Sequence, residues 1–550
     1  MDASVTYNLI GRMLPSNPDS YDTFLIVSGL LGIAVGIGWS FMLSRVERRC
    51  SPLIVAGVAA VLGALTVACG LRQFGGFDHS VAVDVAWRMI NGQTPYVDFP
   101  CTLPPGFYLG AFYAFMIFGP LFQSLVFIQA AFVVVTFLWC YWLLKTLLHD
   151  EPSALIFSVA LSASSVVLVG YWWYNPITSM TAVIYLLSCA LFLNRSSSWM
   201  GRLSLLASLF ALAFMKPNIA GLLIVLATLV LLSSREHRVI TVLLSAIGGA
   251  AFTGVFAAHR LSIPAMIQGY RGIAGRGFAS RLFQDASDNE RIFVCVTLVL
   301  LLVPFGSSAA RALLRKRDRI SLLAIAGLAV GIYGLMTNGE VKLVDSSLVL
   351  ASGWLYVLVA TGAAGGIGRD AWRRYCGFVA LLLAFVGTGE AIVRHRVKAI
   401  GYRAFFEYAM LNDAMPSGFF LNCRIGPRLA ATDGQVAAVL AGVSRAEHKP
   451  QNSLRVYFGP RMQWAYAAYG LQSPAGLPVW WHPGVSFKIS DEERYVRHLR
   501  ESRFDVAIFL KGDSTYLSPE AIDAVTRGYV RDERLSELSV FLPGRLFTVK

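Results

Sequence analysis

Residues 121–147 read LFQSLVFIQAAFVVVTFLWCYWLLKTL, and Lys145 is the only charged residue in this run. A helix that crosses a bilayer needs about 20 predominantly apolar residues, so the run predicts a membrane-spanning helix. The rest of the 550-residue chain is similar, with 56% hydrophobic and 15% charged residues, whereas soluble proteins have about 25% charged residues. This composition excludes soluble multidomain, coiled-coil and disordered classes and predicts a polytopic α-helical membrane protein.

Comparable apolar runs predict about twelve spans. They lie near residues 22–43, 53–71, 121–147, 152–172, 176–193, 202–215, 217–234, 239–257, 291–306, 320–336, 346–362 and 375–393. The first run follows Asp19 and Asp22 instead of a basic segment and is longer than the apolar region of a signal peptide. We therefore interpret it as a retained membrane anchor.

Basic residues occupy alternate connections between these spans. They are Arg45, Arg48, Arg49, Lys145, Arg195, Arg202, Arg235, Arg238, Arg311, Arg315, Lys316, Arg317, Arg319, Arg369, Arg373 and Arg374. Because Lys and Arg collect in cytoplasmic loops, this alternation accounts for the net charge of +14 and no nucleic-acid partner is predicted. It places the N-terminus and the chain after about residue 394 outside the cytoplasm of a bacterial inner membrane.

The predicted architecture is a transmembrane domain at residues 1–394 and a soluble periplasmic α/β domain at residues 395–550, called the tail below. Two further extracytoplasmic segments are large and polar: a first loop at residues 72–120 and an Arg-rich loop at residues 258–290. In the tail, strands are predicted at 454–458, 506–510, 540–542 and 546–549, with Pro543-Gly544 turning the final hairpin. Ser518 and Pro519 have the residue types that begin a helix.

The first loop contains the most informative pattern. Residues 79–90 have helical periodicity, and Asp84 and Arg88 fall on its polar face, where we expect them to be solvated. Residues 108–118 are apolar but too short to span, which is typical of an interfacial helix. On spacing alone, Asp78 is interpreted as the N-cap of the first helix and Asp98 as part of an Asx-type turn.

Eleven residues of this loop follow a known pattern. They are Asp78, Ala86, Gly92, Pro95, Tyr96, Asp98, Phe99, Pro104, Pro105, Gly106 and Gly119. The pattern resembles that of the polyprenyl-phosphate-dependent membrane glycosyltransferases of the GT-C class, such as glycosyltransferase family 39 and the lipid A and O-mannosyl transferases. Lys216-Pro217-Asn218 is similar to a K-P-N/Q motif in some of these families. The resemblance implies a GT-C-like transmembrane domain.

The resemblance also implies a reaction, in which a sugar passes from a polyprenyl-phosphate donor to a periplasmic glycan, lipid or protein. Asp78 would be the base of an inverting displacement, and Asp98 and His79 would form an acceptor or second acidic site. The donor phosphate would be bound by cations that the sequence places outside the cytoplasm: Lys216, Arg271, Arg276 and Arg281. Alternatively, Lys216 extends to the lipid headgroups and the Arg residues belong to a solvated loop. Some family members carry Lys directly before the Pro-Pro pair, where this chain has Leu103. No cofactor or metal site is predicted, and a divalent cation requirement stays open.

Other functions remain open at this level. A transporter or flippase would suit twelve spans, but transporters carry internal repeats and charges at midspan, and neither is found in this sequence. An O-antigen ligase or polymerase fits the first-loop Asp pattern poorly. An inactive family member that acts as a binding protein is a further alternative.

Aromatic and cysteine residues complete the prediction. Residues 171–174, YWWY, are interpreted as an interfacial belt, with sugar stacking as the alternative. Residues 480–482, WWH, would bind carbohydrate or pack against the membrane face. Cys101 and Cys423 both fall in predicted extracytoplasmic segments and could pair.

Reporter fusions test the predicted topology. A reporter for compartment should indicate cytoplasm after Arg49, Arg238, Arg317 and Arg374, and periplasm near Gly92, Gly275 and Lys550. A cytoplasmic signal at Lys550 would place the tail on the wrong side of the membrane for a periplasmic enzyme and would contradict that interpretation.

Overall fold

The structure, a computed structural model, describes residues 50–71, 74, 77–148, 151–162, 172–194, 198–271, 319–337, 348, 351–352, 414–513 and 517–546. The helices before the tail are α1 (Pro52–Gly70), α2 (Phe77–Ile90), α3 (Pro105–Phe118), α4 (Phe122–Leu148), α5 (Glu151–Ser162), α6 (Tyr174–Asn194), α7 (Trp199–Ala213), α8 (Pro217–Leu232), α9 (Arg238–Ala258), α10 (Ile263–Arg271) and α11 (Arg319–Thr337). Within these residues, α4, α6 and α9 are long and apolar enough to cross a membrane.

Seven helices, α1, α4, α6 to α9 and α11, coincide with predicted spans, and α5 covers the described part of the span 152–172. The spans predicted near 22–43, 291–306 and 375–393 lie outside the described residues, and only 348, 351 and 352 of the span 346–362 are described. The total of twelve therefore stays a prediction. The short apolar helix predicted at 108–118 is present as α3, which has 14 residues; its interfacial position stays a prediction.

Helix α6 lies at the centre of the helical part. Its side chains are buried from Pro176 to Phe192, whereas α9 exposes apolar side chains such as Val239 and Val242. This contrast fits a bundle whose outer helices face lipid. Ser204 of α7 accepts a hydrogen bond from the Trp139 indole of α4 and is hydrogen-bonded to Ser188 of α6, so hydroxyl groups link three helices, as is usual between membrane helices.

Contacts at the two ends of the bundle agree with the predicted alternation. At one end, the backbone N–H of Cys50 donates to the Glu151 carboxylate at 2.7 Å. At the other end, the backbone N–H of Arg424 in the tail donates to the carbonyl of Leu71 at 3.0 Å. The first loop and the tail therefore lie at the same end, as the sequence predicts for two extracytoplasmic segments.

The tail contains a four-stranded mixed sheet. Its strands are β1 (Val456–Phe458), β2 (Val506–Leu510), β3 (Tyr529–Asp532) and β4 (Leu538–Pro543), in the spatial order β1-β2-β4-β3. Strand β1 is parallel to β2, whereas β2–β4 and β3–β4 are antiparallel. The helices of the tail are α12 (Pro427–Glu447), α13 (Trp464–Ala468), α14 (Glu492–Glu501) and α15 (Pro519–Thr526).

Both faces of the sheet are covered. Val506, Ile508 and Leu510 alternate along β2 and join the core that continues into the helical part. Ala507 and Phe509 point to the opposite face and pack in a second core with residues of α14 and α15. All five residues of β2 are buried, as expected for a central strand covered on both sides.

The strand predictions were right for β1, β2 and β4, and the strand predicted at 546–549 lies outside the described residues except for Leu546. Strand β4 pairs with β3, and Gly544–Leu546 forms a 3-10 turn after it. Strand β3 escaped prediction because none of its four residues is buried, which leaves no apolar pattern. Helix α15 begins as predicted, with the Ser518 hydroxyl accepting from the N–H of Ala521.

A buried ion pair within α2 of the first loop is hydrogen-bonded to the tail. Arg88 Nε donates to Asp84 Oδ2 at 2.9 Å, and the two residues are 2% and 0% exposed. The Ser473 hydroxyl donates to Asp84 Oδ1 and Arg88 Nη1 donates to the carbonyl of Pro474 at 2.8 Å. The prediction of a solvated polar face was therefore wrong, because a sequence pattern cannot reveal that the tail covers it. Burial raises the pKa of Asp84, against the opposing effect of Arg88.

Further hydrogen bonds follow the same junction. The Trp87 indole donates to the carbonyl of Leu471 at 2.7 Å, and the Gln93 side chain donates to the carbonyl of Ser473 at 2.8 Å. The Ser80 hydroxyl donates to the carbonyl of Arg461 at 2.7 Å. Side chains of α2 and of the residues after it thus donate hydrogen bonds to backbone carbonyl groups of the tail segment that packs against them.

Substitution of Asp84 should destabilise this junction. Asp84→Asn leaves the Arg88 charge buried and unpaired, and losing one partner of a buried pair costs about 3–5 kcal/mol. We expect a lower thermal midpoint and faster proteolytic release of the tail. The matched control is Asp523→Asn in the exposed i,i+4 pair Asp523–Arg527, for which about 0–1 kcal/mol is expected. Equal effects of the two substitutions would contradict the role of the buried pair.

Candidate functional site

The Pro-Pro-Gly segment of the first loop begins α3 and contacts the end of α7. Pro104 is the N-cap residue of α3 and Pro105 its first residue, where the missing N–H of proline costs nothing. The N–H of Gly106 donates to the carbonyl of Phe214 at 2.7 Å. A Cβ atom at Gly106 would lie 3.1 Å from that oxygen and 2.9 Å from Met215 Cε, so this close approach requires glycine.

Lys216 therefore lies two residues from a direct contact with the Pro-Pro-Gly segment. It is the N-cap residue of α8 and is partly buried. Its Nζ lies 3.3 Å from Asn175 Oδ1 and 5.4 Å from the centroid of the Tyr174 ring. These contacts to the start of α6 hold the ammonium group at one end of the central helix.

The start of α8 has the electrostatics of an anion site. The first turn of a helix carries partial positive charge and unpaired N–H groups, and the first turn of α8 has no acidic residue. Asn218 Oδ1, in the same turn, is buried and has no hydrogen-bond partner among the described residues. The Lys216-Pro217-Asn218 motif thus combines a cation, a helix N-terminus and a buried amide.

Two tyrosines complete this region. The hydroxyls of Tyr96 and Tyr270 both donate to the carbonyl of Leu103, at 3.0 and 2.9 Å. Burial raises the pKa of both phenols, so they are neutral near pH 7 and cannot act as bases. We call Tyr96, Leu103, Gly106, Lys216 and Tyr270 the Pro-Pro-Gly junction. Tyr96 has φ of 69°, a left-handed conformation that is uncommon outside glycine.

The predicted Arg cluster is described at one residue only. Arg271 is the exposed last residue of α10, next to Tyr270 of the Pro-Pro-Gly junction. Arg276 and Arg281 lie outside the described residues. Two of the four predicted phosphate ligands are therefore described. Lys216 belongs to the Pro-Pro-Gly junction, and Arg271 directly follows Tyr270 of that junction.

Asp78 lies at a different place. Helix α2 begins at Phe77, so Asp78 is in its first turn and not at the N-cap position expected from the sequence. The neighbouring His79 ring lies 5.3 Å from the ring of Phe122, which begins α4 directly after α3 ends. Because α3 has 14 residues and is therefore about 20 Å long, the start of α2 and the Pro-Pro-Gly junction lie at opposite ends of α3.

His79 and Asp98, the two other predicted site residues, both make contacts that stabilise the fold. His79 is 3% exposed and also packs 5.2 Å from the ring of Phe74. Asp98 is exposed, and its Oδ2 accepts from the N–H of Thr94 at 2.6 Å, which supports the turn interpretation. Its carbonyl accepts from the N–H of Gly476 in the tail at 2.8 Å. Asp98 is two residues from Tyr96 and hence nearer the Pro-Pro-Gly junction than Asp78.

The tryptophans before α6 are packed inside. Trp172 is 5% and Trp173 6% exposed, so the interfacial-belt interpretation was wrong for both. The Trp172 indole donates to the carbonyl of Phe107 at 2.8 Å. Its ring covers Gly110, where a Cβ atom would come within 2.4 Å. Sequence reasoning also missed Tyr270 and Asn175, whose only signal was adjacency to segments already singled out.

Cysteines and metal ligands add nothing to the site. Cys101 and Cys423 are both buried and free, so the pair considered above is not formed. In the part of the chain that the structure describes, no group of three or more His, Cys, Asp or Glu side chains is arranged to hold a metal ion.

Comparisons with known proteins give a loose structural likeness. No family model matches the chain, and no curated protein matches its sequence. The chain is similar to two crystal structures of ArnT from Cupriavidus metallidurans, one in the apo state and one bound to undecaprenyl phosphate. In each case the identity is 13%, the TM-score is 0.46, and the match covers 89% of this chain and 97% of the solved chain. At this level the likeness concerns the course of the chain and transfers no residue role.

Proposed function

We propose that this protein is a membrane glycosyltransferase that moves a sugar from a polyprenyl-phosphate donor to an extracytoplasmic glycan, lipid or protein. The observation that carries the proposal is the Pro-Pro-Gly junction, where Lys216 lies at a helix N-terminus. The ammonium and the positive end of the helix both favour a phosphate group. A lysine near the end of a membrane helix can also extend to the lipid headgroups; the ammonium of Lys216 instead lies 3.3 Å from Asn175 Oδ1 and 5.4 Å from the centroid of the Tyr174 ring.

Transfer requires three events at the anomeric carbon. The acceptor hydroxyl oxygen forms a bond to this carbon, the bond from the carbon to the phosphate oxygen breaks, and the polyprenyl phosphate leaves with the electron pair. A carboxylate takes the acceptor proton as the hydroxyl attacks. Cations beside the phosphate, here Lys216 and Arg271, stabilise the charge on the leaving group.

The sequence resemblance implies Asp78 as the base, and a helix N-terminus stabilises negative charge. The start of α2 is separated from the Pro-Pro-Gly junction by the length of α3, about 20 Å, so Asp78 can take the acceptor proton only if the donor phosphate is bound away from Lys216. If Lys216 binds the phosphate, Asp98 is the candidate base, because its turn adjoins Tyr96 of the Pro-Pro-Gly junction. The length of α3 separates the two candidates and makes them experimentally distinguishable.

The transporter alternative is less consistent with the helices. The central helix α6 contains no charged residue, and α4 and α9 carry only Lys145 and Arg238, each in a terminal turn. Transporters place charged or broken segments at midspan. Within the described residues, the polar first loop and the tail lie together at one end of the bundle, which suits an interfacial enzyme.

Lys216→Gln should weaken use of the donor lipid. A hydrogen bond from a charged donor is worth about 1.5–3 kcal/mol, so kcat/KM for the donor should fall about ten- to a hundredfold. Arg271→Ala should act in the same direction. The control is Lys145→Gln, which removes a lysine paired with Glu151 at the other end of the bundle. Unchanged donor kinetics in both Lys216→Gln and Arg271→Ala would mean that the phosphate is bound elsewhere.

Asp78→Asn should abolish transfer without unfolding the protein. Asparagine keeps the size of the side chain, and the lost interaction with the helix terminus costs only about 0.3–1 kcal/mol. An amide accepts no proton, so the transfer rate should fall about 10²–10⁴-fold while donor lipid still binds. Asp98→Asn is the matched comparison and should reduce the rate less. The reverse order would assign the base to Asp98, and full activity of both variants would remove the proposed mechanism.

A further inference from the structure

Both the backbone and the side chain of Lys216 are bound to the start of α6. The backbone N–H donates to the Thr178 hydroxyl at 3.2 Å, and the ammonium group donates to Asn175 Oδ1 at 3.3 Å. The Thr178 hydroxyl in turn donates to the carbonyl of Tyr174 at 2.6 Å. The ring of Tyr174 lies 5.4 Å from the ammonium nitrogen, within the range of a cation–π contact. One short segment, residues 174–178, therefore holds this lysine at both of its ends.

Lys216 lies against the electrostatic preference of the two helices beside it. A helix N-terminus carries partial positive charge, which favours a nearby anion and disfavours a cation. Helices α6 and α8 both begin here, at Tyr174 and Pro217, and neither has an acidic residue in its first turn. A lysine that served only helix stability would lie at the opposite ends of these helices, where the dipole stabilises it. The arrangement therefore concentrates positive charge at a place that suits an anion.

The Asn175 amide holds the ammonium group without adding an opposing charge. An ammonium has three donors and no acceptor, so the amide must face it with its oxygen. This bond uses one of the three N–H groups. At the other end of the bundle, by contrast, Lys145 is paired with the Glu151 carboxylate at 2.8 Å, which compensates its charge. A carboxylate at position 175 would bind the lysine more strongly but would compete with a phosphate group for it.

We propose that Asn175 is a positioning residue, which fixes the Lys216 ammonium in the orientation that binds the donor phosphate. A lysine side chain loses rotamer freedom when it binds a ligand, and a side chain that is already held loses less of it. The proposal rests on the proposed function, since the phosphate site around Lys216 is part of that function. It adds that Asn175 acts only through Lys216, so its effect should disappear when the lysine is absent.

Binding of farnesyl phosphate, a short prenyl phosphate, to the full chain in a nonionic detergent tests the proposal. Farnesol is the uncharged comparison, because it measures binding of the prenyl chain alone. Asn175→Ala should weaken binding of farnesyl phosphate roughly three- to tenfold, since the ligand must then order the lysine, and should leave binding of farnesol unchanged. Asn194→Ala is the matched control, because Asn194 is the exposed last residue of the same helix. It should bind both compounds like the unmodified protein.

A double-mutant cycle separates positioning from a structural role. In a protein that carries Lys216→Gln, Asn175→Ala should cause no further loss of farnesyl phosphate binding, because the group that it positions is gone. A structural effect on the start of α6 would instead weaken binding equally in both backgrounds. Asn175→Asp keeps the size of the side chain and the acceptor oxygen. It should nevertheless weaken binding at least as much as Asn175→Ala, since the added carboxylate compensates the ammonium charge.

Binding by Asn175→Ala or Asn175→Asp that equals that of the unmodified protein would overturn the proposal. An equal loss from Asn175→Ala with and without Lys216 would also overturn it. In either case, weaker binding by Lys216→Gln alone would leave the proposed function standing. Unchanged binding by Lys216→Gln alone would mean that the phosphate is held elsewhere, and this result would remove the phosphate site of the proposed function together with the role of Asn175.

Discussion

Burial of the Asp84–Arg88 pair determines how the extramembrane part is organised. Two charges leave water at a cost of several kcal/mol each, and only good geometry with further hydrogen bonds offsets it. Ser473 and Pro474 of the tail supply those bonds. Helix α2 is thereby held in one orientation against the tail. The loop that continues to Tyr96 and the Pro-Pro-Gly junction starts from this fixed helix.

A second constraint acts at the Pro-Pro-Gly junction itself. Gly106 touches the backbone of Phe214, while Tyr96 and Tyr270 share the carbonyl of Leu103. Three separate stretches of chain thus meet at one end of α6, next to Lys216. The Leu103 carbonyl accepts both phenol hydroxyls and so joins the first loop to α10. Some glycosyltransferases that the first-loop pattern resembles have a lysine at this position.

Most of the membrane helices could be predicted from the sequence, because a long apolar run has one stable arrangement in a bilayer. The sequence assigned Lys216 and the first loop to one site, and the structure brings Lys216 close to the Pro-Pro-Gly segment but not to Asp78. Asp84 was misjudged, since its polar face is buried by a segment nearly four hundred positions away. The same limit applies to Trp172, whose pocket depends on Gly110 of another helix. A local sequence pattern indicates whether a helix face is polar or apolar, but it does not indicate which segment packs against that face.

The partners of the buried pair are also far apart in the order of synthesis. Asp84 and Ser473 are separated by 389 positions. The hydrogen bond between them can form only after the ribosome has synthesised all the residues in between. Until then the first loop emerges with its charges in water and α2 without its cover. Contacts of such high sequence separation form late in folding. A chain cut short before the tail would therefore lack the bonds from Ser473 and Pro474 and leave the Asp84–Arg88 pair and this face of α2 exposed to water.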